Sequence, residues 1–267
     1  MGSDVLIPAF LAAYTGQKPG KVTLNPFPNL GAMRPNWRIT YDGLGKIEKL
    51  KKWFKTITLS HAYQCTYSVG SFSSYSDWIA VGEGLGYSKS ELTQNPYPTS
   101  PYNISSVSLT EKFAPLIGLA ATMKNNVTFN AEYRDSRTLT LNSSAGQVVE
   151  ALSKSLVIGG GYKIANFNSI LKIGGQQQGV SNDLTMNLDF TLSNNSALIR
   201  KIESNITQAT SGTRTLSINF TANYVLSKRI TLGAYFDHQV NTPLVSSSAY
   251  PTTNSSYGIS VNLSLTK

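Results

Sequence analysis

The ten residues Thr215-Leu216-Ser217-Ile218-Asn219-Phe220-Thr221-Ala222-Asn223-Tyr224 decide how the chain is read. Every even position is apolar and every odd one is Thr, Ser or Asn. Side chains of an extended strand point alternately to opposite faces, so this segment has one apolar and one polar side. The pattern resumes at Ile230, Leu232, Ala234 and Phe236. It returns at the end as Tyr257, Ile259, Val261, Leu263 and Leu265 against Gly258, Ser260, Asn262, Ser264 and Thr266. Such ribbons build the wall of a soluble sandwich or of a membrane barrel, and the rest of the chain must separate the two.

Composition leans toward the membrane. Charged residues make up 14% of the 267 positions, against roughly 25% in ordinary soluble domains. Ser, Thr and Asn fill the gap. Mean hydropathy is −0.14, as expected when alternation averages each strand to neutral. No apolar run approaches the ~20 residues of a spanning helix. The formal net charge of +9 suits an anionic partner, lipid headgroups or nucleic acid. Without a dense basic helix or an aromatic-plus-Arg platform, nucleic acid is not expected as a partner. The single Cys65 allows no internal disulfide. Residues 1–4 lack a basic leader region and Pro8 interrupts residues 5–14, so an export signal is expected upstream of Met1.

Taken in order, residues 1–35 read as an irregular lead-in, punctuated by Pro8, Pro19, Gly20, Pro26, Pro28, Gly31 and Pro35. Residues 36–267 read as barrel strands and loops. Residues 36–41 form a short strand ending at Asp42-Gly43. Ile47, Leu50, Trp53 and Phe54 among five lysines in 46–55 predict a short helix at a membrane rim. Residues 56–72 predict a long strand with Ile57, Leu59, His61, Tyr63, Cys65, Tyr67 and Val69 on one face. A glycine-loosened strand over 78–87 and a long Pro- and Tyr-rich loop over 89–103 follow. Residues 104–113 form a further strand, broken at Pro115. Met123-Lys124-Asn125-Asn126 predicts a tight hairpin turn into a strand with Val127, Phe129, Ala131 and Tyr133 on one face. Residues 147–152 read as one helical turn, and 156–164 and 170–176 as two paired strands. Leu184, Met186, Leu188, Phe190 and Leu192 alternate along the next strand, and 194–212 reads as a polar connection. The total is about 10–12 strands, an all-β fold.

Three features favour an antiparallel transmembrane β-barrel. The polar faces are small and uncharged, strand lengths suit a tilted crossing, and Tyr and Trp bracket the apolar faces. Only a closed sheet satisfies its backbone in lipid. Glu132, Asp189 and Asp237 fall on polar faces. Glu111 shares parity with Val107, Leu109 and Phe113, which places it at a rim. A soluble adhesin-like sandwich using the Tyr-rich loop at 95–102, and a self-contained small porin-like barrel, are the alternatives.

Nothing points to catalysis. His61 and His238 are the only histidines, and no His/Cys/Asp set has metal-ligand spacing. Gly82-x-Gly84-x-Gly86 and Gly159-Gly160-Gly161 lack the strand–loop–helix setting of a phosphate cradle. No catalytic, cofactor-binding or metal residues are expected, and the chain is not read as an enzyme.

Several segments resemble one known family. They are Asp4-Val-Leu-Ile-Pro-Ala-Phe-Leu-Ala-Ala-Tyr14, Pro35-Asn-Trp-Arg-Ile-Thr-Tyr-Asp-Gly-Leu44 and Thr58-Leu-Ser-His-Ala-Tyr63. Pro115-Leu-Ile-Gly118, Met123-Lys-Asn-Asn126 and Ser136-Arg-Thr-Leu139 follow, then Asn241-Thr-Pro-Leu-Val-Ser246 and Tyr250-Pro-Thr-Thr253. In this order, and most specifically in the Pro35–Leu44 string, the chain resembles the C-terminal part of the SprA/Sov family, the outer-membrane translocon of the type 9 secretion system in Bacteroidetes. The resemblance implies the last strands of an exceptionally large single-chain barrel in the outer membrane. Such a barrel conducts folded cargo proteins carrying a C-terminal signal and supports gliding motility in some members. It also implies partners: outer-membrane lipid, secreted cargo, and PorV-like and plug-like proteins that control a lateral opening.

Overall fold

The alternation read at 215–224 runs through nearly the whole chain. A computed structural model describes residues 3–16, 18, 34–82, 85–173, 176–227, 229–245 and 250–264. An N-terminal helix α1 (Ser3–Thr15) precedes β1 (Trp37–Tyr41), a 3-10 turn (Gly43–Lys46) and a single helical turn α2 (Glu48–Lys51). Strands β2 (Phe54–Ser74), β3 (Ile79–Gly82), β4 (Leu85–Lys89) and β5 (Pro96–Thr99) follow. The remainder is β6 (Tyr102–Met123), β7 (Val127–Asn142), β8 (Gln147–Ile173), β9 (Gln176–Lys201), β10 (Ile206–Val225), β11 (Ile230–Pro243) and β12 (Thr252–Leu263). The fold is therefore all-β, as the sequence predicts.

Nine strands form one antiparallel sheet in the order β1-β2-β6-β7-β8-β9-β10-β11-β12, and β3-β4-β5 form a small separate sheet inserted between β2 and β6. The large sheet is open. Among the described residues β1 pairs only with β2 and β12 only with β11, leaving both outer edges unpaired. Short connections occur at both ends of the sheet: 124–126, where Asn126 takes φ 63°, at one end, and 143–146 and 202–205 at the other. The insert 75–101 lies at this second end.

Several segments differ from the sequence reading. The irregular lead-in begins with α1, whose Leu6, Ile7 and Leu11 are buried. Its helical stripe is short, and the proline punctuation around it masks the signal. Burial against the sheet outweighs the hydrogen bond that Pro8 cannot donate. Thr15 Oγ1 donates to Leu11 O at 2.8 Å, and Gly16 at φ +71° ends the helix in the left-handed region. Pro115 does not break β6. Three residues, 114–116, stand opposite Arg134 alone in a bulge that accommodates the missing N–H. The expected helical turn at 147–152 is the start of β8, with Val148 facing Leu141 and Leu152 facing Arg137. The strands expected at 156–164 and 170–176 join in β8 as far as Ile173, with a register shift between Ile164 and Phe167; residues 174–175 lie outside the described residues and Gln176 opens β9. The polar connection at 194–212 is mostly strand: β9 runs to Lys201 and β10 starts at Ile206. Ala197, Leu198 and Ile199 are apolar in succession among polar neighbours, so the two-residue period vanishes while pairing continues. The loop expected at 89–103 contains β5 and the start of β6, and 78–87 divides into β3 and β4. Between those two strands a Cβ on Gly86 would lie 2.4 Å from the Trp78 ring.

The largest dry patch lies under α1, and Ile57 and Ala121, paired across β2 and β6, form a smaller buried spot elsewhere. Leu6, Ile7 and Leu11 of α1 pack on Ile104, Val107 and Leu141, with Phe10, Tyr67, Val69, Val148 and Ile202 around them. Tyr63, Cys65 and Leu109 extend the patch toward Tyr14. Elsewhere the apolar side of the sheet has no second layer among the described residues. Ile117 is 66% exposed, Leu188 52% and Ile259 82%.

Leu141→Ala, at the centre of this patch, is expected to lower unfolding stability by about 2–5 kcal/mol in denaturant titrations. In the small sheet, the Asp77 carboxylate accepts the Ser88 hydroxyl at 2.6 Å and the Lys89 N–H at 2.8 Å. These two bonds hold its pKa below the ordinary carboxylate value. A depressed folded pKa contributes stability that is full above about pH 4 and lost as pH falls through the folded value. Protection factors of β4 amides, taken relative to the intrinsic exchange rate at each pH, should therefore fall as the pH is lowered below about 4 in the native protein, and Asp77→Asn should show the reduced protection already at neutral pH.

Candidate functional site

The cross-strand register turns the alternation of single strands into two continuous surfaces. On one face, Phe129, Gly160, Leu188, Phe220, Phe236 and Tyr257 stand in a row across β7 to β12. Parallel rows contain Tyr162, Met186, Ala222, Ala234 and Ile259 on one side of it, and Ile158, Phe190 and Ile218 on the other. The band is bounded at one end by Tyr133, Leu156, Leu192 and Leu216 and at the other by Leu184, Tyr224, Leu232 and Val261. From Leu184 to Leu192 it takes roughly 27 Å of extended strand.

The opposite face carries almost no grease. Asn130, Gly159, Asp189, Asn219, Asp237 and Ser256 form one cross-strand row. Asn219 Nδ2 donates to Asp237 Oδ1 at 2.9 Å and Ser217 Oγ donates to Asn219 Oδ1 at 2.7 Å. Thr215 Oγ1 donates to Asn241 Oδ1 at 2.8 Å two rows along the same face. Glycine makes room here: a Cβ on Gly159 would fall 2.2 Å from Asn130 Oδ1 and 2.3 Å from Asp189 Oδ1. Gly258 lies under the Tyr235 ring, 2.7 Å from where its Cβ would be. Glu132 receives Arg134 Nε at 2.9 Å, and Lys163 meets Asp183 at 2.7 Å, so part of the charge on this face is internally neutralised. Glu132, Asp189 and Asp237 lie on this polar side, as their parity predicts.

Beyond the Tyr133–Leu216 end of the band, the apolar face becomes a charged collar. Phe113, Asp135, Lys154, Asn194 and Arg214 share one row, and Glu111 and Arg137 the next. Lys154 meets Asp135 at 3.8 Å and Arg137 meets Glu150 at 2.7 Å. The parity argument flags Glu111 alone. Asp135, Arg137, Glu150 and Lys154 break parity in the same way, so the collar was detectable in the sequence.

Glu111 is the hub where α1, the lead-in and the sheet meet. Its Oε1 accepts the Tyr63 hydroxyl at 2.7 Å and Arg34 Nη1 at 3.2 Å. The Arg34 guanidinium lies 5.6 Å from the Tyr14 ring centroid, and Tyr14 Oη is 3.6 Å from Cys65 Sγ. Burial leads a set of causes that push the Tyr14 hydroxyl far above its ordinary pKa, so it stays protonated. Beside this hub, α1 and the sheet enclose a cleft of about 610 Å³ with Leu139, Val148 and Leu198 in its wall.

Both histidines are occupied structurally. His61 Nδ1 is 2.6 Å from Leu116 O at the β6 bulge, and His238 Nδ1 is 2.8 Å from Ser255 Oγ beside the Phe236 ring. Gly159-Gly160-Gly161 lies inside β8, and Gly82 and Gly86 flank the β3–β4 turn, with Gly84 outside the described residues. Among the described residues no three His, Cys, Asp or Glu side chains group as metal ligands.

Glu111→Ala removes the shared acceptor of Tyr63 and Arg34. It is expected to loosen α1 by about 1–2 kcal/mol, read as roughly 5–30-fold faster amide exchange over residues 3–15. Ser217→Ala, on the opposite face, should leave that exchange unchanged. No protein-family model and no curated protein matches this chain.

Proposed function

We propose that the sheet is a stretch of outer-membrane β-barrel wall, its apolar band in hydrocarbon and its polar face toward an aqueous lumen. The observation that carries this reading is the uncovered band. Rows of Leu, Ile, Phe and Tyr run side by side from β7 to β12 with no second layer over them among the described residues. An apolar surface of that extent does not suit a soluble monomer. Its depth suits a membrane: at the usual tilt of about 40°, the Leu184–Leu192 span gives about 20 Å, near the ~25 Å apolar height of such barrels. Tyr133 near one limit and Tyr162 and Tyr224 near the other sit where interfacial aromatics belong. The end that carries the insert 75–101 fits the exterior, where such barrels have their longer loops, and the opposite end, with the short turn 124–126, the periplasmic side.

Hydrocarbon tolerates no unpaired strand edge, so a sheet open at β1 and β12 needs further strands to complete its cylinder. That requirement, with the resemblance in the Pro35–Leu44 and neighbouring segments, supports a place in the large protein-conducting channel of the type 9 secretion system. In this role the wall does no chemistry. A face of Thr, Ser, Asn and Gly with its charges partly paired offers passing folded cargo neither grease nor strong fixed charge. Gating belongs to partner proteins of the PorV and plug kind.

The decisive experiment compares the two faces of β9. Leu188→Arg, mid-band, is expected to cost about 2–4 kcal/mol of membrane stability and to reduce recovery of the protein in outer-membrane fractions. Asn187→Arg, one residue away on the polar face, should insert normally. Equal tolerance at both positions, or a detergent-free soluble monomer, overturns the membrane reading. Loss of cargo secretion on deleting residues 36–264 from the native protein tests the translocon assignment separately.

A further inference from the structure

The charged collar does not present its two signs equally. In each ion pair the cation is the more exposed member: 60% against 15% for Arg34 and Glu111, 45% against 18% for Arg137 and Glu150, and 51% against 30% for Lys154 and Asp135. The carboxylates lie deeper, against the sheet and α1, and hold the cations in place from behind. Arg214 adds a further positive charge. Its Nε donates to Asn194 Oδ1 at 3.0 Å, it is exposed, and it has no carboxylate partner among the described residues. Asn194 pairs with Lys154 on one side and with Arg214 on the other. The two cations are therefore two strand spacings apart, about 10 Å, with an amide between them.

Their level is as informative as their sign. The row of Lys154, Asn194 and Arg214 comes two residues after the last apolar row of Leu156, Leu192 and Leu216. That is roughly 7 Å along the strand, about 5 Å of depth at the same tilt, which falls within the headgroup layer that adds about 5–8 Å per side to a ~30 Å hydrocarbon core. Above the collar the same face is covered by α1, so the collar is the outward surface met at that depth.

We infer that Lys154 and Arg214, supported by Arg137 and Arg34, form a docking collar for the phosphate headgroups of anionic lipids in the surrounding leaflet. An arginine held at one nitrogen keeps its other N–H groups for a phosphate, which it binds in a fork, while a lysine supplies a compact charge at the second side. The collar fixes the height of the wall in the membrane and gathers anionic lipid around it. The inference rests on the membrane reading, because in water the same groups are a solvated surface.

The test uses the purified native protein in detergent, offered dioleoylphosphatidylglycerol and dioleoylphosphatidylcholine, with bound lipid counted by native mass spectrometry. The wild type is expected to retain the anionic lipid at least fivefold over the zwitterionic one. Lys154→Gln with Arg214→Gln should bring the ratio close to one, and the charge-preserving Lys154→Arg with Arg214→Lys should restore it. Flotation with phosphatidylcholine vesicles reports insertion independently. If wild type and Gln variant both float but retain anionic lipid equally, the collar proposal is overturned and the membrane reading stands. If neither floats, the membrane reading falls and the collar falls with it. Binding of an acidic peptide such as polyglutamate to the same residues, in preference to lipid, also overturns it.

Discussion

Backbone pairing in register is the constraint on which the rest of this structure depends. Each strand from β6 to β12 has its even or odd positions aligned with those of its neighbour, so a one-residue slip in any pair would send a whole row of apolar side chains to the polar face. Where the sheet departs from regular pairing it does so in ways that keep the faces. The β6 bulge around Pro115 brings Ile117 opposite Tyr133 on the same side where Phe113 meets Asp135. The band survives a proline because the irregularity preserves parity.

The two faces solve different packing problems. On the apolar side of β8 to β12 bulk is tolerated along the band, since among the described residues nothing lies opposite it, whereas α1 covers the face only beyond the collar. On the polar side neighbouring amides and carboxylates crowd one another, and Gly159 and Gly258 are where that crowding is relieved, under Asn130 and Asp189 in one case and the Tyr235 ring in the other. A glycine in the middle of a strand ordinarily weakens it. Here the neighbours' side chains occupy the volume that its own would have taken, so the strand loses little packing and the face stays smooth.

The sequence made the band legible and hid its frame. Leu184 to Leu192 and Leu216 to Tyr224 announce themselves because one face is greasy and the other is not. The same strands beyond the collar, at 194–201 and 206–213, mix Ala197, Leu198 and Ile199 with polar residues without alternation and carry no periodic signal, although they stay paired through a register shift between Ala209 and Ser211. Helix α1 was hidden for a different reason. Its apolar residues meet a surface assembled from β6, β7 and β8, and nothing local reveals that such a surface exists. Glu111 marked the collar through its parity. Its bonds to Tyr63 and Arg34 join residues remote in sequence, which no reading of a single strand could bring together.

That remoteness sets an order of events. Helix α1 lies first in the chain, yet its docking ground of Val107, Leu141 and Val148 is complete only once three later strands have zipped together. Contacts so distant along the chain form late, after the loop-closing entropy between them has been met by other pairings. Until then the stripe of Leu6, Ile7 and Leu11 has no shelter of its own, and its eventual docking is a report, written at the amino end, that the middle of the wall has been built.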